Sequence, residues 1–170
     1  MTSKRSLTGV VVIALIMAVG LVPAANAATK PTAAQRAQLQ YLVEEEKLAR
    51  DVYLYLAANV TSSKFANIAR AEQVHMDEVG AILKTYKFTN PTSGRARGVF
   101  VNKTLQSLYT NLTAKGSTDI WAAYQVGIDI ENLDISDVQN DLKLVMPTDM
   151  KLMLNRLLNG SISHLAAFSR

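Results

Sequence analysis

The stretch "AEQVHM" at 71–76 sets a glutamate and a histidine three residues apart, Glu72 and His75. Positions i and i+3 share one face of a helix, so a carboxylate and an imidazole placed this way can converge on one metal ion. The surrounding pattern makes both unusual. Phe65, Ile68, Val79, Ile82 and Tyr86 recur at helical spacing, and Glu72 and His75 fall in the same phase. A buried carboxylate is rare unless it is paired or binds a cation, because removing water from a charge costs several kcal/mol.

Three further stretches repeat the interruption. One helix is expected from near Ala33 to about Asn59, with a seam of Leu39, Leu42, Glu46, Ala49, Tyr53 and Leu56. The helix carrying Glu72 is expected after an N-cap at Thr61 or Ser62 and runs to about Tyr86. A third long helix, capped by Ser117 or Thr118 and reaching about Leu144, has a seam of Ile120, Tyr124, Gly127, Glu131, Asp134 and Val138, then Asp141 or Leu142. The fourth starts around Pro147 and passes through Leu154, Leu157, Ser161, His164 and Phe168. At about 1.5 Å per residue, antiparallel pairing brings Glu46 and Glu72 within roughly 5 Å in height. Glu131 and His164 meet at a similar height.

No lysine or arginine falls on these seams; Lys47, Arg50 and Arg70 point elsewhere by the helical period. Without counter-charges the carboxylates must take up protons or bind cations, and cations are the simpler answer. The chain has no cysteine, so any metal must be held by oxygen and imidazole, which suits iron, manganese or zinc. Di-metal helical bundles use a lone Glu from each of two helices and a Glu-x-x-His from each of the other two. Glu46 and Glu131 are the lone carboxylates here, and Glu72 with His75 is complete. Ser161 stands where the second motif, ending in His164, should have its Glu. Asp134, one turn from Glu131, should approach Ser161 across the core and replace the absent carboxylate.

Simpler readings apply to several neighbours. Glu44 is expected to be a solvated member of the "EEE" run, while Glu45 lies beside the seam as the alternative to Glu46. Tyr53 and Tyr124 are expected to be core tyrosines with partnered hydroxyls. The six methionines are dispersed, as packing residues are. "GRARG" at 94–98 is expected to be a mobile basic loop without the spacing of a phosphate cradle.

These elements imply an all-α fold: two antiparallel hairpins joined by a long crossover that carries a short extra helix, from about Lys103 to Thr113. Ahead of them, "MTSKR" is a basic start, followed by an apolar run and the small-x-small site "ANA" at 25–27. That layout is a signal peptide over residues 1–27, leaving a single domain at 28–170 and a secreted or extracytoplasmic location, in the periplasm or on the cell surface. Loss of Lys4 and Arg5 would lower the formal charge from +4 to +2, too mild a balance to suggest nucleic acid. No membrane association is expected once the signal peptide is removed.

"EEKLARDVY" (45–53) resembles the first-helix signature of rubrerythrin-type proteins, whose ligand Glu falls on Glu46. "FANIARAEQVHM" (65–76) resembles their second-helix stretch. With "VGIDIENLDI" (126–135) and "LLNGSISHLAAF" (157–168), the chain is most similar to an uncharacterised ferritin-like family, domain of unknown function 2202. The resemblance implies a ferritin-like four-helix bundle and a di-iron site, but no reaction. The candidate ligands are Glu46, Glu72, His75, Glu131, Asp134 and His164, for two iron ions, with manganese or zinc as alternatives. Iron handling or redox chemistry with oxygen or peroxide is the leading expectation, with self-association into a homo-oligomer left open. The alternative is a non-catalytic helical binding module whose metal site is degenerate or partly occupied.

Overall fold

The computed structural model describes residues 30–170; the expected signal peptide at 1–27 lies outside the described residues. The described residues form five helices: α1 (Ala33–Asn59), α2 (Ser63–Thr85), α3 (Lys103–Gly116), α4 (Ile120–Asp141) and α5 (Thr148–Phe168). Among the described residues there is no strand, and no helix is long and apolar enough to cross a membrane.

The starts of the helices follow from their caps. Thr32 and Gln35 form a reciprocal capping box at α1, and the Ser62 hydroxyl accepts from the Lys64 N–H at α2. The third long helix starts later than expected. α3 continues past Thr113 through Gly116 and takes Ser117 as its own C-cap, so the cap of α4 is Asp119, which accepts from the Trp121 and Ala122 N–H groups. α4 also ends at Asp141, three residues before the expected Leu144. α5 begins after Pro147, whose missing N–H is no loss at a helix start.

Specific contacts fix the helix directions. Arg50 of α1 reaches Gln73 and Met76 of α2, and Tyr53 reaches Gly127 and Glu131 of α4. Lys64, at the start of α2, donates to the Ala167 carbonyl at the end of α5, while Tyr86 after α2 donates to Asp149 at the start of α5. Gly127 of α4 packs on Phe168 of α5 and Asp134 meets Ser161, so α4 and α5 are antiparallel as well. α1, α2, α5 and α4 thus enclose one interior.

That interior is segregated. One end is rich in aromatic rings, with Tyr53, Phe65 and Phe168 in mutual contact. The other is aliphatic, built on residues such as Leu39, Val43, Val79, Leu83, Met153 and Leu157. Between the two lies a polar belt: Glu45 and Glu46 on α1, Glu72 and His75 on α2, Glu131 and Asp134 on α4, and Ser161 and His164 on α5, all buried.

The crossover between α2 and α4 is fastened to the outer face of α1. Glu44, expected in solvent, is instead buried and accepts from the Val101 and Asn102 N–H groups at 2.5 and 3.0 Å. Covering α1 with this loop removes water from Glu44, and the unpaired amides ahead of α3 replace it. Lys47 forms an ion pair with Asp51 and donates to the Ala96 carbonyl at 2.9 Å. Asp51 also accepts from Gly98 N–H at 2.9 Å and from Arg50. The "GRARG" segment, expected to be mobile, is therefore tied down by buried charge. Gly98 has φ +72° and packs so closely on Tyr109 that a Cβ would lie 2.6 Å from its ring. Removing one partner of a buried ion pair leaves the other charge uncompensated. Asp51→Ala should therefore cost about 3–5 kcal/mol in urea denaturation, by orphaning Lys47 and freeing the loop.

Candidate metal centre

α2 supplies the middle of the belt. One oxygen of Glu72, Oε2, lies 2.8 Å from Nδ1 of His75 one turn later on the same helix. The other oxygen, Oε1, lies 2.8 Å from Nδ1 of His164 on α5. Glu46 Oε2 comes within 3.3 Å of the His75 nitrogen, and Glu131 Oε1 within 3.6 Å of the His164 nitrogen. The two imidazoles face each other with centroids 5.4 Å apart. Two sets result, Glu46 with His75 and Glu131 with His164, and Glu72 presents one oxygen to each. Ligand atoms of Glu72, His75 and His164 all lie within 4.8 Å of one another.

Distances of 2.8 Å suit hydrogen bonds, yet neither Nδ1 has an aligned hydrogen-bond partner. Glu46 Oε1, Glu72 Oε1 and Asp134 Oδ1 are likewise buried without a donor. So many buried polar atoms without partners facing one region could hold a cation, since their oxygen and imidazole types are potential metal ligands. A cavity of about 10 Å³ bordered by Glu46, Glu72, Glu131 and Asp134 leaves room there for a species of about water size.

Two of the carboxylates are held from behind. The Tyr53 hydroxyl donates to Glu131 Oε1 at 2.7 Å, the partnered core role expected of it, and Tyr124 donates to Ser62. The Ser161 hydroxyl donates to Asp134 Oδ2, leaving Oδ1 free. All six candidates (Glu46, Glu72, His75, Glu131, Asp134 and His164) lie in the buried belt, only Glu72, His75 and His164 forming a group of three within ligating range among the described residues, and Asp134 meets Ser161 as its register suggested. Lys47, Arg50 and Arg70 turn away, to Asp51, Gln73 and Asn67.

Burial and mutual charge shift the titration of the belt groups in opposite directions. Burial disfavours a charged imidazole, but Glu46 and Glu72 outweigh it and raise His75 to about 11. Glu131 and Glu72 likewise raise His164 to about 9 against burial. Burial would push Glu72 up, yet the two histidines reverse that and hold it at about 2. Two imidazolium groups cannot neutralise every carboxylate. Burial, and then the charge of Asp134, keep Glu46 well above the usual range. Burial chiefly lifts Glu131 to about 8 and Asp134 to about 6.

Two residues escaped the reading of the sequence as parts of this region. Glu45, expected only as an alternative to Glu46, is buried along with it and borders the same cavity. Gly160 has no role expected from the helical pattern; a Cβ there would lie 2.3 Å from His75 Nε2, so its lack of a side chain makes room for the imidazole. The signal for Gly160 is its place one residue before the seam position Ser161, on the side facing α2.

Fold and belt define an all-helical protein with a buried cluster of potential metal ligands. The profile of the family described as "Uncharacterized protein domain (DUF2202)" matches residues 35–170, and the chain belongs to that family. The chain is 41% identical over 127 residues to the uncharacterized protein MJ0754 of Methanocaldococcus jannaschii, covering 75% of this chain and 69% of that one. The crystal structure of the hypothetical protein MJ0754 is similar in fold, with a TM-score of 0.80 and 37% identity over 83% of this chain and 81% of that one.

Two outcomes follow from the belt. Groups whose pKa is raised on folding bind more protons folded than unfolded, so they stabilise at low pH and lose that contribution as pH rises. Glu131, raised from 4.5 to about 8, acts between those values; His164, raised from 6.5 to about 9, extends the window upward. The depressed Glu72 acts the other way only below its ordinary 4.5. Chelator-treated protein should therefore melt lower at pH 8 than at pH 5, by about 5 °C or more. Gly160→Ala should separate stability from ligation. Alanine favours an exposed helix by up to about 1 kcal/mol, yet here it must displace His75. Metal affinity, read by competition with a chromophoric chelator, should fall at least about tenfold while helicity by circular dichroism is kept.

Proposed function

We propose that this protein is a ferritin-like four-helix bundle whose core holds a carboxylate-bridged pair of iron ions, and that it acts in iron handling or in the reduction of oxygen or peroxide. The observation that carries this reading is Glu72, whose two oxygens each lie 2.8 Å from the Nδ1 of a different histidine. A carboxylate shared in this way suits a bridge between two ions, with His75 and Glu46 at one and His164 and Glu131 at the other. Asp134 is the further carboxylate available, in place of the Glu that Ser161 replaces. Paired iron ions supply oxidation and reduction by two electrons together.

The chain's own residues supply the rest. Tyr53 orients Glu131, Ser161 orients Asp134, and the hydrophobic clusters on either side limit water and small reactants around the belt. The sequence contains no cysteine and hence no rubredoxin-like electron module, so electrons come from the iron itself or from an external donor. Action outside the cytoplasm is part of the proposal and rests on the basic start, apolar run and cleavage site within residues 1–27.

A second reading, a helical binding module with a partly filled site, is favoured by one feature, the serine at 161. Metal analysis of protein purified without chelators distinguishes them. About two irons per chain with an oxo-bridge band in the near ultraviolet is the expected result. Glu72→Ala and His75→Ala should each remove most of that metal while the helices remain, and Glu44→Gln should remove none. Metal-free protein whose melting ignores both chelator and added iron would favour the second reading.

A further inference from the structure

Outside the belt, between α1 and α4, lies a pocket of about 340 Å³ whose lining includes Gln38, Tyr41, Glu45, Asp137 and Asp141. No lysine or arginine borders it, and among the described residues no basic side chain pairs with any of its three carboxylates. Asp141 accepts from Gln38 at 2.6 Å. Glu45 is different: it is only 4% exposed, and neither of its oxygens has a hydrogen-bond donor. It also borders the inner cavity beside Glu46, Glu72, Glu131 and Asp134. One orphaned carboxylate therefore faces both the outer pocket and the belt. Its surroundings are acidic throughout, and burial together with the charges of Glu45 and Asp137 pushes the Tyr41 phenol up to about 12.

The other buried acids of α1 are compensated differently. Glu44, its neighbour, is buried against two backbone amides, and Asp51 against Lys47 and Arg50. Glu45 has no basic or amide partner; the nearest polar group is another carboxyl, that of Asp137, with Asp134 beyond it, so like groups face one another. On α4 the acids descend from Glu131 through Asp134 and Asp137 to Asp141 at spacings of three, three and four, one continuous stripe from the core to the pocket mouth. We propose that the pocket between α1 and α4 is a second cation site, in which Glu45 and Asp137 hold a hydrated divalent ion that Asp141 draws in from solvent, and Glu45 passes it to the belt. Carboxylate and amide oxygens with room for retained waters suit a hard, exchangeable divalent ion. The capture site stands on the pocket alone; the inward transfer rests on the metal centre proposed above.

Manganese(II) is a suitable probe, because electron paramagnetic resonance counts the free ion directly. In the full chain carrying His75→Ala and His164→Ala, about one manganese ion per chain should still bind, and adding Glu45→Gln with Asp137→Asn should abolish it. Asp137→Asn with Asp141→Asn, both at partly exposed positions, should weaken the same ion at least about tenfold without a change in the core. With the histidines intact, Glu45→Gln/Asp137→Asn should reach the final iron content of the parent at least about tenfold more slowly in stopped-flow loading. If the histidine-free protein binds manganese equally with and without the pocket substitutions, the capture site is overturned. Equal loading rates overturn the transfer role of Glu45. A parent that binds the pocket ion and nothing more refutes the di-iron centre and the transfer with it, and leaves the capture site standing.

Discussion

Carboxylates enter a dry helical core only if something compensates their charge, and the belt between the two hydrophobic clusters is where this chain meets that constraint. Glu45, Glu46, Glu72, Glu131 and Asp134 are each at most 6% exposed, and the two histidines 9% at most. Leaving such groups bare would cost several kcal/mol apiece, more than a domain of this size has in net stability. Protons are one remedy, and the raised pKa values of Glu131 and Asp134 show its direction. A cation is the other. Four helices each send a polar group to one height, so whichever remedy operates governs the packing of all four together.

α1 shows that buried charge can also be settled without a metal. On the side under the crossover, Lys47, Asp51 and Arg50 form a compact set whose remaining donors and acceptors are satisfied by Ala96 and Gly98. On the core side, one residue away, Glu46 has no lysine or arginine and an orphaned oxygen. The two faces of one helix thus follow opposite rules. The paired face fastens a long loop, where closed and rigid contacts are useful. The unpaired face holds lone pairs open toward a shared centre, as a ligand set requires.

How much of this was legible in the sequence depended on what each residue reports. Glu46, Glu72, Glu131 and His164 break apolar seams, and the helical period therefore places them in the core at nearly one height. Ser62 and Thr32 mark helix starts through local chemistry, so those boundaries fell where expected. Ser117 misled for the same reason: a serine can end one helix as readily as begin the next, and the continuation of α3 to Gly116 decided between them. Glu44 was illegible as a buried residue, because it is covered by a loop more than fifty residues later in the chain, at Val101 and Asn102. The period of α1 describes its face toward α2 and α4, and is silent about a crossover laid on its back.

The serine at 161 now has a physical place. With a glutamate there, α5 would carry a carboxylate toward α4; with serine, the charge moves across the interface to Asp134 and the hydroxyl donates back to it. Beside Ser161, Gly160 has no side chain at all, which lets His75 approach from α2. Asp134 also lengthens the acidic stripe of α4. Glu131 and Asp134 in the belt continue into Asp137 and Asp141 at the surface pocket, with Glu45 of α1 facing the join. A carboxylate on α4 faced by only a hydroxyl on α5 therefore makes the central cluster asymmetric and sets its acids in line with those of the surface pocket along a single helix face.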